Sequence, residues 1–332
     1  MSTSGAARRC RLRAERWALP EPFAIAGLVQ RDTELIVVEI EADGCVGRGE
    51  CERDDLLSPG CANVLAEVER ARSAIESGAT RMDLLDLLPA GPARSAIDCA
   101  LWDLESKLSS VPVWTLAGLP EPQPIITAYT LSVASPQDMA AAARREAHRP
   151  LLKLKLEGVR SSACIRAVRE AAPDTRLIAD ANGSIQPEQL FEVISTCAQH
   201  RVELLEQPLL RRADEALESV RHDVPICADE SFHDRSSLPD ILGRYDMVNI
   251  KLDKTGGLTE ALLAIAAAQR RRLRIMVGCM LGTSLAMAPA FLLAPKADYV
   301  DLDGPLLLGS DRPGGMRFDG SILHPPARAF WG

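Results

Sequence analysis

No apolar run in the 332 residues approaches the roughly 20 needed to cross a bilayer, so no membrane partner is expected. Positive charge is not in excess either. The formal net charge is -8 and the lysines and arginines are scattered, which removes the electrostatic footprint of a protein that binds DNA or RNA. The stretch from Met1 to Arg16 is polar and arginine-rich with no apolar core behind it. It lacks the form of a secretory signal, and a cytoplasmic location is expected. Paired cysteine spacings are missing: the nine cysteines include no CxxC, and most sit in apolar periodic runs. Buried thiols are expected in preference to a zinc or disulfide framework. The five histidines form no HExxH or other ligand pair, and neither a GxGxxG fingerprint nor a P-loop occurs. Dinucleotide and phosphate binding are without support.

What is present is ordinary in composition, with 47% apolar and 25% charged residues, and long enough for one large domain or two smaller ones. A homo-oligomer stays open. Strand character appears at Arg11–Trp17, Leu35–Glu41 and Val46–Glu50, with a hairpin turn at Ala42–Cys45 and a long loop expected from Leu19 to Arg31. Ala62–Ser77 and Pro92–Leu108 read as helices, the second opened by its proline. The prolines at 120, 122 and 124 punctuate the end of an α+β domain, placed at residues 1–121.

From there strands and helices alternate. Strands are expected at Ile125–Thr130, Leu151–Leu156, Arg176–Ala181, Val202–Glu206, Pro225–Asp229, Met247–Lys251, Ile275–Cys279 and Tyr299–Asp303. Five charged residues, Lys155, Asp180, Glu206, Asp229 and Lys251, close consecutive apolar runs at intervals of about 22 to 26 residues, the length of one βα unit. The expected architecture is a parallel barrel over residues 122–310, followed by a glycine- and proline-rich tail (311–332) that packs back on the first domain.

Charged strand ends are rational only where the strands open onto a polar site, the C-terminal face of a barrel. Asp180, Glu206 and Asp229 on adjacent strands offer an arc of oxygen ligands suited to Mg²⁺; taken singly, each reads as well as a solvated, helix-capping carboxylate. A metal that neutralises a substrate carboxylate also stabilises the enediolate left when the α-carbon loses its proton. Lys155 and Lys251 would then approach that carbon from opposite faces, one removing the proton and the other returning it. That geometry predicts racemisation or epimerisation. Lys153 shares a strand face with Lys155 and contacts a ligand carboxylate or the substrate carboxylate, or is a structural charge deeper in the barrel. Asn182 and Gln207 follow two ligands and could orient them. Asp301 and Asp303 share a strand face and would attract an ammonium group; the plainer reading is an Asp-Gly-Pro turn.

The ordered motifs Leu-Lys-Leu-Lys (152–155), Ala-Asp-Ala-Asn-Gly (179–183), Glu-Gln-Pro (206–208), Ala-Asp-Glu-Ser (228–231), Asn-Ile-Lys-Leu-Asp-Lys-Thr-Gly-Gly (249–257) and Asp-Leu-Asp-Gly-Pro (301–305) resemble the enolase superfamily. Within it they fall in the muconate-lactonising subgroup and look most like its dipeptide epimerases. The resemblance covers nearly the full chain. It implies an α/β fold, a modified (β/α)7β TIM-type barrel with an α+β capping domain. It further implies Mg²⁺, one per subunit, on Asp180, Glu206 and Asp229, and Lys155 and Lys251 as the acid/base pair. Lys153 would sit near the substrate carboxylate, Asp301 and Asp303 on the α-ammonium of a dipeptide, and Thr130 in contact with substrate.

The activity implied is inversion of the α-carbon of the C-terminal residue of an L,L-dipeptide, with cell-wall Ala-Glu the best-known substrate. The alternative is an N-acylamino acid racemase or o-succinylbenzoate synthase, which would not need Asp301 and Asp303. Two departures stand out. The capping-loop stretch Phe23–Leu28 carries no basic residue to receive a glutamate side chain, Arg31 being the nearest, and Gly282 stands where many relatives carry a glutamate.

Overall fold

The structure is a computed structural model that describes residues 8–53 and 64–332. Cys61 and the first two residues of the helix expected from Ala62 lie outside the described residues.

The chain begins with a three-stranded antiparallel sheet of β1 (Arg9–Ile25), β2 (Leu28–Ala42) and β3 (Cys45–Glu52). The loop expected at 19–31 is instead the far end of a long hairpin. Pairing slips between Ala18 and Phe23 and resumes to Ile25↔Leu28. Pro20 and Pro22 fall within that slip on the outermost strand, where a missing N–H breaks no ladder. Gly27, with φ 75°, completes the tip. A helix over Pro92–Ser109 packs one face on this sheet through Ala93, Ala96, Ile97 and Ala100, in a core with Ile36, Val38 and Ile40. The approach demands glycine on β3: a Cβ on Gly49 would stand 2.0 Å from the Ala96 carbonyl oxygen, and one on Gly47 2.1 Å from that of Ala100.

The same helix's other face docks on the barrel, and its amphipathic pattern is weak because both faces are buried. Arg94 donates to the carbonyls of Thr255 (2.7 Å) and Gly256. The Trp102 indole N–H donates to Thr259 Oγ1, and Asp98 accepts from the Thr259 N–H at 3.0 Å and from its hydroxyl. Burial lifts the Asp98 carboxyl to about 6 against those two donors.

Eight parallel strands follow, each paired to the next. They are β5 (Tyr129–Leu131), β6 (Leu151–Lys155), β7 (Arg176–Asp180), β8 (Val202–Glu206), β9 (Ile226–Ala228), β10 (Met247–Ile250), β11 (Arg274–Gly278) and β12 (Tyr299–Asp301). A backbone hydrogen bond from Ala128 N–H to the Val300 carbonyl bridges the remaining seam. The first expected barrel strand divides. Ile125–Ile126 (β4) pairs with a hairpin of the tail, β13 (Phe318–Asp319) and β14 (Ile322–Leu323), and only Tyr129–Leu131 enters the barrel. The crossover between β8 and β9 carries a short 3₁₀ helix over Asp214–Ser219. The chain's last residues meet the first sheet's helix and strands: Gly332 N–H donates to Asp103, and the Trp331 indole donates to the Arg48 carbonyl.

Barrel strands turn alternate side chains inward. Ala128, Leu151, Ile178, Leu204, Cys227, Met247, Met276 and Tyr299 form one apolar cluster that fills the floor. Two residues further along each strand the inward positions are Thr130, Lys153, Asp180, Glu206, Asp229, Asn249, Gly278 and Asp301. The floor is apolar and the layer above it is almost wholly polar. Strand periodicity alone therefore gathers the charged groups at the C-terminal mouth.

Candidate active site

Asp180, Glu206 and Asp229 are fully buried and bring one carboxylate oxygen each within 4.8 Å of one another. Lys153 lies beneath them, its ammonium 2.8 Å from Glu206 Oε2, 3.1 Å from Asp180 Oδ2 and 2.8 Å from Asp301 Oδ2. Lys155 Nζ stands 2.7 Å from Asp180 Oδ2, and Lys251 Nζ 2.7 Å from Asp229 Oδ2, so the two lysines flank the triad from β6 and from the end of β10. Asp303 accepts the Thr130 backbone N–H at 2.7 Å. The nine residues given metal, proton-transfer or substrate roles from the sequence thus meet at one mouth. Lys155, Lys251, Thr130, Asp301 and Asp303 line a cavity of about 660 Å³ there, with Lys153 and Asp229 at its base.

The electrostatics follow from burial and pairing. Burial opposes the charge on Lys153, yet Asp301, Glu206 and Asp180 together hold its ammonium well above the ordinary lysine range. Lys251 is likewise buried and raised, mainly by Asp229. Burial works against ionisation of Asp180, but Lys155 and Lys153 bring it down to about 2. Glu206, buried and beside Asp180, is pushed up to about 7. Its Oε2 accepts no hydrogen bond, although the Lys153 ammonium is ion-paired to it at 2.8 Å. An orphaned carboxylate oxygen at the centre of a three-carboxylate arc fits a hard divalent cation.

Other side chains hold this arrangement. Asn182 and Gln207, directly after two ligands, take left-handed conformations with φ 42° and 35°, a strain of about 1 kcal/mol or more each for a non-glycine residue. Asn182 N–H donates to Asp180 Oδ1, its side-chain oxygen accepts from Lys155, and its amide donates to Glu230. Gln207 Oε1 accepts from the backbone N–H groups of Asp229 and Ser231, fixing the end of β9. Lys254 is buried and donates to both the backbone carbonyl and the carboxylate of Asp229.

Sequence reasoning passed over Asn249, which donates to Glu206 Oε1 at 2.7 Å, and Glu230. The signal for Asn249 was its place two residues before Lys251 on the same inward face. Gly278 makes room for it, since a Cβ there would stand 2.7 Å from Asn249 Oδ1. Gly282 faces the first domain: a Cβ on it would lie 3.3 Å from Glu50 Oε1, so a glutamate at 282 would meet a carboxylate already buried there.

The tip of the β1–β2 hairpin covers the mouth. The Val133 N–H donates to the Ala24 carbonyl, and the Gly27 N–H to Glu157. Phe23, Ile25 and Gln30 are its contributions to the cavity wall, and Arg31 is exposed and does not line it. The loop after β8 adds Arg211 and Arg212, which no sequence motif had marked. No described helix is long and apolar enough to cross a membrane.

The family described as enolase C-terminal domain-like matches residues 137–325, and that of the mandelate racemase / muconate lactonizing enzyme N-terminal domain matches residues 7–118. The L-Ala-D/L-Glu epimerase of Escherichia coli K12 is 43% identical over 93% of this chain and 97% of its own. An N-acetyl-D-glutamate racemase of Pseudoalteromonas sp. is 44% identical over 75% of this chain and 79% of its own. Among solved structures, an Agrobacterium tumefaciens enolase family member with homology to dipeptide epimerases, bound to sodium and L-Ala-L-Glu, superposes with TM-score 0.95. It has 42% identity and covers 98% of this chain and 100% of that one. The dipeptide epimerase of Enterococcus faecalis V583, in complex with Mg and L-Leu-L-Tyr, gives TM-score 0.89 at 29% identity, over 96% and 97% of the two chains.

Proposed function

The chain belongs to the enolase superfamily, in its mandelate racemase/muconate-lactonizing subgroup, and from that premise we propose that it is a Mg²⁺-dependent dipeptide epimerase acting on the C-terminal α-carbon of L,L-dipeptides. Lys155 and Lys251 are the proton-transferring pair in this reading. They line the cavity from opposite sides of the triad, so an α-carbon held between them presents one face to each amine. Asp180, Glu206 and Asp229 are the ligands. They would hold a divalent cation, which would supply the positive charge that neutralises a substrate carboxylate and would weaken the carboxylates' hold on the two lysines. Lys153 adds a fixed positive charge on the same side. Asn182 keeps Lys155 aimed by accepting from its amine at 3.1 Å. The hairpin tip and the apolar Phe23 and Ile25 shield the reacting carbon from bulk water.

One observation favours a dipeptide over other carboxylate substrates. Asp301 Oδ1 is buried without a hydrogen-bond partner, and Asp303 beside it is lifted to about 7 by burial and then by Asp301. Two adjacent buried carboxylates facing the cavity are suited to a cation such as the free α-ammonium of an N-terminal residue. Racemisation of an N-acylated amino acid is the second reading, favoured by the 44% identical N-acetyl-D-glutamate racemase. It would use the same lysines, but an acyl group carries no charge for Asp301 to meet.

Incubation with Mg²⁺ in D₂O separates the two. Deuterium uptake and inversion at the C-terminal α-carbon of L,L-dipeptides is the expected result. Exchange confined to N-acyl amino acids would overturn the epimerase reading. The triad has its own check, in which calorimetry should register Mg²⁺ binding that Glu206→Gln weakens at least tenfold.

A further inference from the structure

We propose that Arg211 and Arg212 determine specificity by receiving an anionic side chain on the substrate's C-terminal residue, so that the preferred substrates are dipeptides ending in glutamate or aspartate. The inference rests on the dipeptide reading above.

The first ground is that these are the uncommitted cations of the cavity. Lys153, Lys155, Lys251 and Lys254 are each held by an aspartate carboxylate. Arg211 and Arg212 line the same space, and among the described residues neither has an ion pair or hydrogen bond.

The second ground is place. The loop that carries them is pinned to the loop leaving β7. The Gly183 N–H donates to the Gln207 carbonyl at 2.7 Å, the Ile185 N–H to the Pro208 carbonyl, and Ser184 bridges Leu209. Leu210 lies so close that a Cβ on Gly183 would stand 3.2 Å from its Cα. The arginines therefore rise directly after a segment fixed above Asp180, on the triad's half of the mouth. The charge of Arg211 reaches inward to His233, whose imidazole is held below its usual value by burial, then by Lys254 and Arg211.

The third ground is polarity. Asp301 and Asp303 belong to the end of β12, strands away from the β7–β9 triad. A dipeptide with its ammonium at Asp301 and Asp303 and its carboxylate at the triad has its C-terminal side chain on the arginine half. The first sheet contributes Phe23, Ile25, Gln30 and Glu52 to the lining, none of them a cation, so nothing on that wall competes for an acidic side chain. Charge recognition on that side chain thus falls to the barrel loop. A carboxylate meeting one or two unpaired guanidinium groups gains charge-assisted hydrogen bonds that an uncharged amide of the same shape gains only weakly.

The test compares kcat/KM for L-Ala-L-Glu, its isostere L-Ala-L-Gln and L-Ala-L-Lys, read by α-proton exchange in D₂O with Mg²⁺. For the natural protein we expect a Glu-to-Gln ratio of at least about tenfold. That ratio should collapse toward one in R211Q/R212Q, survive largely in R211K/R212K, and tilt toward L-Ala-L-Lys in R211E/R212E. Both side chains are exposed, so the substitutions spare the core. A natural protein that exchanges dipeptides without distinguishing Glu from Gln overturns the inference and leaves the epimerase reading standing. So does a ratio that persists in R211Q/R212Q. If the natural protein exchanges no dipeptide at all, the epimerase reading fails and this inference falls with it.

Discussion

Replacing the two flanking lysines one at a time tests the two-faced proton transfer most directly. In Lys251→Ala, Asp229 loses an ammonium at 2.7 Å but keeps Lys254, which donates to the same carboxylate. In Lys155→Ala, Asp180 loses its contact at 2.7 Å but keeps Lys153 at 3.1 Å and the Asn182 N–H at 2.9 Å. Neither variant strands a buried carboxylate without a cation. The loss of stability should therefore stay below the 3–5 kcal/mol of a fully orphaned buried charge, at about 1–3 kcal/mol. Removing an acid/base group should slow net inversion by about 10²–10⁴. The variants should fold, bind Mg²⁺ within about tenfold of the natural protein, and fail to interconvert stereoisomers. Each should still exchange the α-proton of one stereoisomer, and the two variants should differ in which one. NMR of the L,L- and L,D-dipeptides in D₂O reads this, with chemical denaturation as the control. The reasoning is refuted if either variant inverts the centre at a rate near the natural one, or if both lose exchange from the same stereoisomer and keep it from the other.

Two further outcomes follow from the buried carboxylates. Asp303→Asn should lower kcat/KM for dipeptides by about 10- to 100-fold while calorimetry finds Mg²⁺ affinity nearly unchanged, because the amide oxygen can still accept the Thr130 N–H but carries no charge for an ammonium. Equal loss of both would reject the ammonium role. Asp301→Asn is less clean, since Asp301 is also a partner of Lys153. The Asp98 carboxyl, raised to about 6 where the helix meets the barrel, should make stability fall with rising pH. The unfolded group ionises near its ordinary value while the folded one stays protonated. Its contribution is therefore whole below about pH 4 and is lost by about pH 6, at most about 3 kcal/mol. Denaturation of the natural protein and of Asp98→Asn across that range should show the gap between them changing by this amount, and parallel curves would refute the assignment.

The triad and its lysines could be read from the sequence because a barrel translates linear order into position. A charge at the end of each apolar run, one βα unit apart, is already a charge at the mouth, and no long-range contact is needed to place it. The same logic carried Asp301 and Asp303, two residues apart on the last strand. It failed where position depends on pairing or on loops. Pro20, Pro22 and Gly27 signalled a loop, yet the local preference was overridden by the partner strand, which resumes its register beyond the prolines. Ile125–Ile126 looked continuous with the first barrel strand, but tail residues nearly two hundred positions away capture it. Arg211 and Arg212 stand in no periodic element, so only the folded loop shows that they face the cavity.

The charges at the mouth connect the proposed metal, the proposed substrate and the arginines. Around the triad, the ammonium groups of Lys153, Lys155, Lys251 and Lys254 meet the carboxylates of Asp180, Glu206, Asp229, Glu230, Asp301 and Asp303, an excess of two negative charges when all are ionised. Buried charge left uncompensated is costly, and the oxygens without donors show where it concentrates: Glu206 Oε2 and Glu230 Oε2 on the triad side, Asp301 Oδ1 on the other. A divalent cation removes the excess as a whole. In the proposed reading a dipeptide with an uncharged side chain would then enter as a zwitterion and leave that balance unchanged, its ammonium meeting Asp301 and its carboxylate meeting the metal side. A glutamate or aspartate side chain brings one negative charge more, for which the inner set has no cation to spare. Arg211 and Arg212 stand outside that set and are unpaired among the described residues, so under the proposed reading an acidic side chain would be met at the lip.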